Sequence, residues 1–215
     1  MKHITEMTNR TGRPVRMVQF GEGNFLRAFV DDMVDRANEA GVLDCGIAVV
    51  KPIAFGSLAL FTRQECLYTV ILRGREKGRV VEESRIVTAV RQAVDAASEF
   101  DAFLGLARLE SLEYVVSNTT EAGIVFDESD RFDQDPPATY PGKLTRFLYE
   151  RYRAFSGDSG KGLMILPVEL IENNGGKLRE CVLKLCSLWG LEKGFAGWVE
   201  ESCLFCSTLV DRIVT

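Results

Sequence analysis

Two glycines, Gly21 and Gly23, stand between an apolar run and a helical one in the segment Val15-Arg-Met-Val-Gln-Phe-Gly-Glu-Gly-Asn-Phe-Leu26. A glycine at the first position allows a tight strand-to-helix reversal, and one at the second lets backbone approach a pyrophosphate with no Cβ in the way. The helix that follows presents unpaired N–H groups and a positive dipole end, so the amides of Asn24, Phe25 and Leu26 are the expected anion donors. This is the spacing of a dinucleotide-binding turn without its third glycine, whose place Leu26 takes. A looser approach of helix to sheet follows from that exchange, and an ordinary strand-to-helix turn is the alternative reading.

The acid that commonly ends the second strand and bonds the adenosine ribose is missing, because Val49-Val50 leads into Lys51. Lys51 suits a 2′-phosphate, or a solvent position beside the adenine, so the turn is read as binding NAD with NADP left open. Ser117, Asn118, Thr119, Thr120 and Glu121 follow another strand, where open α/β sheets bind ligands. They are candidate contacts to the nicotinamide ribose, with a plain polar loop as the alternative. Asp211 and Arg212 read better as a buried ion pair than as a catalytic pair, since neither is a ready proton-transfer group at neutral pH.

Other chemistry is excluded or displaced. The one histidine, His3, falls in the polar segment 1–14, which is expected to be flexible, so any imidazole chemistry must come from outside this chain. The six cysteines read as free thiols of a reducing compartment, and Cys203-x-x-Cys206 lacks the second pair that a zinc site needs, so no metal is expected. With 26 Lys+Arg against 31 Asp+Glu, the chain has no basic footprint for nucleic acid. No apolar run approaches the roughly 20 residues that span a bilayer, and no secretory leader is recognisable, so the expectation is a cytoplasmic protein without a membrane partner.

The elements that must position the glycines follow from hydrophobic period. The 215 residues, 46% of them hydrophobic, suffice for one domain. A buried strand over 15–20 feeds a helix whose Phe25, Leu26, Phe29, Val30, Met33, Val34 and Ala37 face inward, with Asp31, Asp32 and Asp35 mostly on the other face. A strand over 46–50 completes a βαβ unit, which implies parallel pairing. Two β-leaning runs around Gly74–Gly78 predict an inserted antiparallel hairpin. The α/β rhythm then resumes: a helix over 98–108 capped by Ser98, a strand over 112–116, a helix opened by Pro141, a strand over 162–166, a helix from about 176 to 189, a shorter helix, and a strand-like run over 205–214. The fold expected for 15–215 is α/β, a Rossmann-type doubly wound, mostly parallel sheet with a β-hairpin insertion.

With these elements placed, Val18-Gln-Phe-Gly-Glu-Gly-Asn-Phe-Leu-Arg-Ala-Phe29 resembles the N-terminal signature of the mannitol dehydrogenase family of polyol-specific long-chain dehydrogenases. Ser117-Asn-Thr-Thr-Glu-Ala-Gly123, Glu169-Leu-Ile-Glu-Asn-Asn-Gly175 and Ser207-Thr-Leu-Val-Asp-Arg-Ile213 are similar to further family segments in the same order. The resemblance implies an NAD-dependent oxidoreductase, nearest to the members that reduce a hexuronate. It also implies a helical C-terminal domain carrying the catalytic lysine, so that this chain is the cofactor domain, inactive without that partner and with no catalytic residue of its own. Glu169 becomes a possible substrate contact, against a solvent-facing or ion-paired glutamate. The competing readings are a fructuronate or mannitol-oxidising member, a non-catalytic nucleotide-binding module, and a methyltransferase, against which Lys51 argues.

Overall fold

The computed structural model describes residues 3–8, 12–119, 123–210 and 213–214. Six strands form one sheet: β1 (Val15–Phe20), β2 (Gly46–Lys51), β5 (Val90–Asp95), β6 (Tyr114–Ser117), β7 (Met164–Pro167) and β8 (Leu204–Phe205). Their order is β5-β2-β1-β6-β7-β8, and every pairing is parallel. The chain therefore winds outward from β1 through β2 to β5, then returns to β1's other side for β6, β7 and β8. That reversal makes the carboxyl ends of β1 and β6 the topological switch point, where doubly wound sheets hold ligands.

Burial on both faces follows from alternation. Val18 and Phe20 of β1 and Ala48 and Val50 of β2 point into one apolar layer, and Met17, Ile47 and Val49 into the other. The first layer is closed by α4 (Phe100–Ala107), α5 (Tyr140–Ala154), α6 (Asn174–Leu188) and α7 (Lys193–Ser202), through Phe103, Leu144, Phe147, Val182 and Phe195. The second is closed by α1 (Asn24–Ala28), α2 (Val30–Glu39), α3 (Ala59–Arg63) and the inserted hairpin. That hairpin, β3 (Tyr68–Glu76) and β4 (Arg79–Val87), is longer than the sequence suggests and turns on Lys77 and Gly78, both at positive φ.

Several local expectations change. The helix expected to run through Phe29 is broken there, at φ −119° and ψ −78°, into α1 and α2. Asp31, Asp32 and Asp35 do not face solvent but are all buried. The hairpin packs over α2 and brings its own partners: Arg85 pairs with Asp32 and Asp35, and Thr88 donates to Asp35 Oδ1 through its amide (2.8 Å) and hydroxyl (2.9 Å). Ser98 caps nothing; α4 starts at Phe100 after a turn in which Asp95 and Glu99 accept the Ala97 and Asp95 amides. Thr139, the N-cap of α5, accepts from the Gly142 amide at 2.9 Å, so the helix opens one residue before Pro141. Among its described residues the run over 205–214 pairs as a strand only in β8 (Leu204–Phe205), and beyond it Asn174 takes up the Thr208 amide (3.0 Å).

The residues of segment 1–14 that are described include one 3₁₀ turn, Ile4–Glu6, none of it buried. All six cysteines are free, and burial pushes the thiols of Cys45 and Cys203 up to about 11 and that of Cys186 to about 12. Thiols so raised stay protonated and unreactive at neutral pH. Among the described residues no helix is long and apolar enough to cross a membrane, and no three His, Cys, Asp or Glu side chains gather as metal ligands.

Candidate cofactor site

The two glycines of the β1–α1 turn are constrained differently. Gly21 sits at φ +121°, where a Cβ would lie 3.0 Å from the Asn118 carbonyl oxygen and 3.3 Å from Leu26 Cδ1. Its amide donates to Val50 O (3.0 Å), and the Asn118 amide donates to Phe20 O (3.1 Å), so the turn is clamped between the ends of β2 and β6. Glycine at 21 is thus required by the fold itself. Gly23 is the N-cap of α1, exposed, at φ −68° and ψ 162°, and a Cβ there would meet nothing within 4 Å. Among the described residues nothing asks for glycine at 23. Leu26 is buried in the apolar layer under the turn, which accounts for a leucine where a third glycine is usual. Asn24 is exposed, its side chain accepting from Arg27, and Phe25 is half-buried against Phe29. The first-turn amides of Asn24, Phe25 and Leu26 have no intrahelical acceptor by the geometry of a helix start.

Beneath the turn lies a cluster that the sequence did not reveal. Gln19, fully buried, donates from Nε2 to Gly21 O (3.0 Å). Tyr68 of the hairpin donates to Asp31 Oδ2 at 2.6 Å, and its hydroxyl lies 3.2 Å from Arg27 O. The Arg27 guanidinium lies over the rings of Tyr68 and Phe61, 5.5 and 5.7 Å from their centroids. Burial pushes the Asp31 carboxyl up from 3.8 to about 7, against the pull of Tyr68, Gln19 and Arg27 and with a push from Asp35. Below about pH 4 this group is protonated in the folded and unfolded chains alike. From there to about pH 7 only the unfolded chain releases its proton, so stability is lost as pH rises, and a penalty on the order of a few kcal/mol persists above that range. Asp31→Asn is therefore expected to raise the melting temperature more at about pH 8 than at about pH 4. Equal shifts at both would contradict a buried carboxyl of raised pKa.

Lys51 occupies neither of the places its sequence position suggested. It is 2% exposed and pairs with Asp95 Oδ2 at 2.9 Å, while its Nζ donates to the carbonyls of Ile53 (2.8 Å), Ala54 (3.3 Å) and Phe55 (3.4 Å). The ammonium ties β2 to β5 and folds residues 53–55 back on the strand end, so it is not free on the surface for a 2′-phosphate. Glu169 is likewise not solvent-facing, and among the described residues it has no ion-pair partner. It is 2% exposed, and it accepts from Ser117 Oγ (3.2 Å), the Thr119 amide (3.0 Å) and Thr119 Oγ1 (3.0 Å). Asn118 Nδ2 adds a bond to Val168 O at 3.1 Å. Ser117, Asn118 and Thr119 are thus fastened to the end of β7. Thr120 and Glu121, with Asp211 and Arg212, lie outside the described residues.

Asn174, fully buried, completes the arrangement: its Nδ2 donates to Pro167 O and Glu169 O, both at 3.0 Å, and its Oδ1 accepts the Gly175 and Thr208 amides. A Cβ on Gly175 would come within 2.6 Å of Cys206, so the Asn-Gly pair is what lets residues 206–208 pack against the start of α6. On the other side of the switch point, a cavity of about 170 Å³ opens between the loop after β2 and the start of α5, lined by Pro52, Ile53, Thr119, Val125, Tyr140 and Lys143.

The fold recurs in proteins of known identity. The D-sorbitol dehydrogenase structure in substrate-free form superposes with a TM-score of 0.72 at 25% identity, over 90% of this chain and 42% of that one. A Pseudomonas fluorescens mannitol 2-dehydrogenase, solved as a ternary complex with NAD and D-mannitol, shares the fold with a TM-score of 0.79 at 20% identity, over 94% and 42%. Among curated proteins, the altronate oxidoreductase of Bacillus subtilis (strain 168) is 48% identical over 204 residues. That of Klebsiella pneumoniae subsp. pneumoniae is 50% identical over 203. The alignments take in 95% and 94% of this chain but 42% of either relative, so the chain spans less than half their length. The family described as the mannitol dehydrogenase Rossmann domain matches residues 15–215. The chain belongs to the mannitol dehydrogenase family, as its Rossmann domain.

Proposed function

We propose that this chain is the NAD-binding domain of a cytoplasmic oxidoreductase that interconverts tagaturonate and altronate. The observation that carries the reading is the contrast between Gly21, which the fold requires, and Gly23, which it does not. A position with an ordinary backbone, open space and a helix start behind it is where a phosphate gains from a missing side chain. The amides of Asn24, Phe25 and Leu26 would hold the pyrophosphate, with Gly21 fixing the turn and Gln19 bracing it from below. Ser117, Asn118 and Thr119, fastened to β7 through Glu169 and Val168, would border the nicotinamide ribose. Glu169, being turned inward, would set the position of this edge and meet substrate only through it. Since Lys51 is engaged with Asp95, NAD is favoured over NADP.

When bound, the nicotinamide supplies or accepts hydride at its C4. The proton would be handled by a lysine outside this chain, so the domain alone binds cofactor without turnover. The test is NADH oxidation by the full-length protein containing this chain, with tagaturonate, fructuronate and fructose offered in parallel. The highest kcat/KM is expected for tagaturonate. A preference for fructuronate or fructose would assign another reaction of the family, and no oxidation with any of the three would refute the reading.

A further inference from the structure

The cavity between the loop after β2 and the start of α5 holds a buried cation that the pyrophosphate turn leaves unexplained. Lys143 is 6% exposed, in the first turns of α5, and its Nζ donates one hydrogen bond to Ala138 O at 2.7 Å. An ammonium has three hydrogens to give, and among the described residues no ion pair takes the others. Burial lowers the Lys143 pKa, while the charge of Asp130 works the other way. Asp130 is itself buried, its oxygens accepting from the Ala138 amide (2.8 Å), the Thr139 amide (3.2 Å) and the Thr139 hydroxyl. The carboxylate therefore balances the lysine's charge while its own acceptor sites are filled by the turn before α5.

We propose that Lys143 recognises the base of an adenine nucleotide, donating from Nζ to a ring nitrogen of a purine seated between Pro52, Ile53, Val125 and Tyr140. The inference rests on the nucleotide-binding reading above and adds to it the residue that selects the base. Three observations favour a base over a phosphate. The walls are apolar or aromatic on most sides, as a flat heterocycle requires. Among the described residues the charge of Asp130 offsets that of Lys143, so the cavity offers hydrogen bonds without calling for an anion. At about 170 Å³ the cavity is smaller than the roughly 300–1,000 Å³ that enclose a whole drug-sized ligand, so it takes one ring system of a longer molecule. Its place fits as well: Pro52 and Ile53 line it directly after β2, the strand at whose end a doubly wound sheet holds the adenosine. The second strand has no acid free to hold the adenosine, and Lys143 supplies the polar anchor from α5 instead.

The experiment is calorimetric titration of the wild-type chain, Lys143→Met and Lys143→Gln with NADH, with reduced nicotinamide mononucleotide, which lacks the adenine, and with AMP. Circular dichroism melts confirm that each variant is folded. Lys143→Met is expected to weaken NADH and AMP by about ten- to a hundredfold, the range for losing one charge-assisted hydrogen bond in a buried site. The mononucleotide should be unaffected, and Lys143→Gln, which keeps a donor, should recover part of the loss. Equal weakening of NADH and the mononucleotide would mean that Lys143 acts through the fold, and affinity for NADH within about threefold of wild type would mean that it does not touch the base; either overturns the proposal. If the wild type binds AMP but not NADH, and Lys143→Met loses AMP, the base site stands while the dinucleotide reading falls. If the wild type binds none of the three, both fall.

Discussion

Replacing Arg151 with methionine is expected to destabilise the domain by about 3 kcal/mol, although the side chain carries a charge into a nearly waterless place. Arg151 is 1% exposed, and its guanidinium lies 4.8 Å from the centre of the Phe155 ring. It donates from Nε to Lys161 O (2.7 Å), from Nη1 to Ala107 O (2.8 Å) and Leu109 O (3.0 Å), and from Nη2 to Leu112 O (2.9 Å). Burial lowers its pKa, with Cys203 and Glu110 opposing. Two effects compete in the variant. Removing a poorly solvated cation is favourable, but three carbonyls that close the connection from α4 to β6, and that of Lys161 ahead of β7, lose their donors at about 1–3 kcal/mol for each left dry. The second effect wins because methionine fills the volume and admits no water to replace the bonds. For a domain of this size the loss corresponds to a fall of roughly 6–12 °C in melting temperature. Arg151→Lys should recover little, since one ammonium cannot reach acceptors on both sides of the fork. A change below about 1 kcal/mol in urea unfolding would show that the carbonyls find other partners.

The other large effect falls on binding and should leave the fold alone. Gly23→Val places a branched side chain at an exposed helix N-cap whose backbone, φ −68° and ψ 162°, valine adopts readily. The expected change in stability is about 1 kcal/mol or less, as for other poor N-cap residues. Affinity for NADH is expected to fall by at least about a hundredfold, because the side chain covers the surface onto which the amides of Asn24, Phe25 and Leu26 open. Gly21→Val is the contrasting control. At φ +121°, with a Cβ 3.0 Å from a backbone oxygen, it should damage the fold itself, and the two variants separate a structural glycine from a binding one. Retained NADH affinity in a folded Gly23→Val chain would remove the turn from the phosphate site.

What the sequence made legible was local. The run Val15–Phe20, the glycines after it and the apolar spacing of α1, α2 and α5 gave the parallel sheet and the turn, because both depend on period and on residues next to one another. What stayed hidden depended on partners far along the chain. Asp31, Asp32 and Asp35 look like a solvated helix face until the hairpin brings Tyr68 and Arg85 over them. Lys51 looks like a surface cation until Asp95, at the end of the neighbouring strand, claims it. Glu169 and its partners Ser117 and Thr119 were each singled out, but their union across the ends of β6 and β7 needed the strand order. Lys143 and Arg151 carried no signal beyond a helical pattern, in which long cations ordinarily face water.

The central claim, that the switch point of this sheet is a site for NAD, is tested most directly by calorimetric titration of the chain with NADH and, separately, NADPH. One molecule of NADH per chain should bind, and NADPH at least about tenfold more weakly, since the cation at the end of β2, Lys51, is engaged with Asp95. No heat of binding with NADH at about 1 mM, in a sample whose melt shows it folded, would contradict the account.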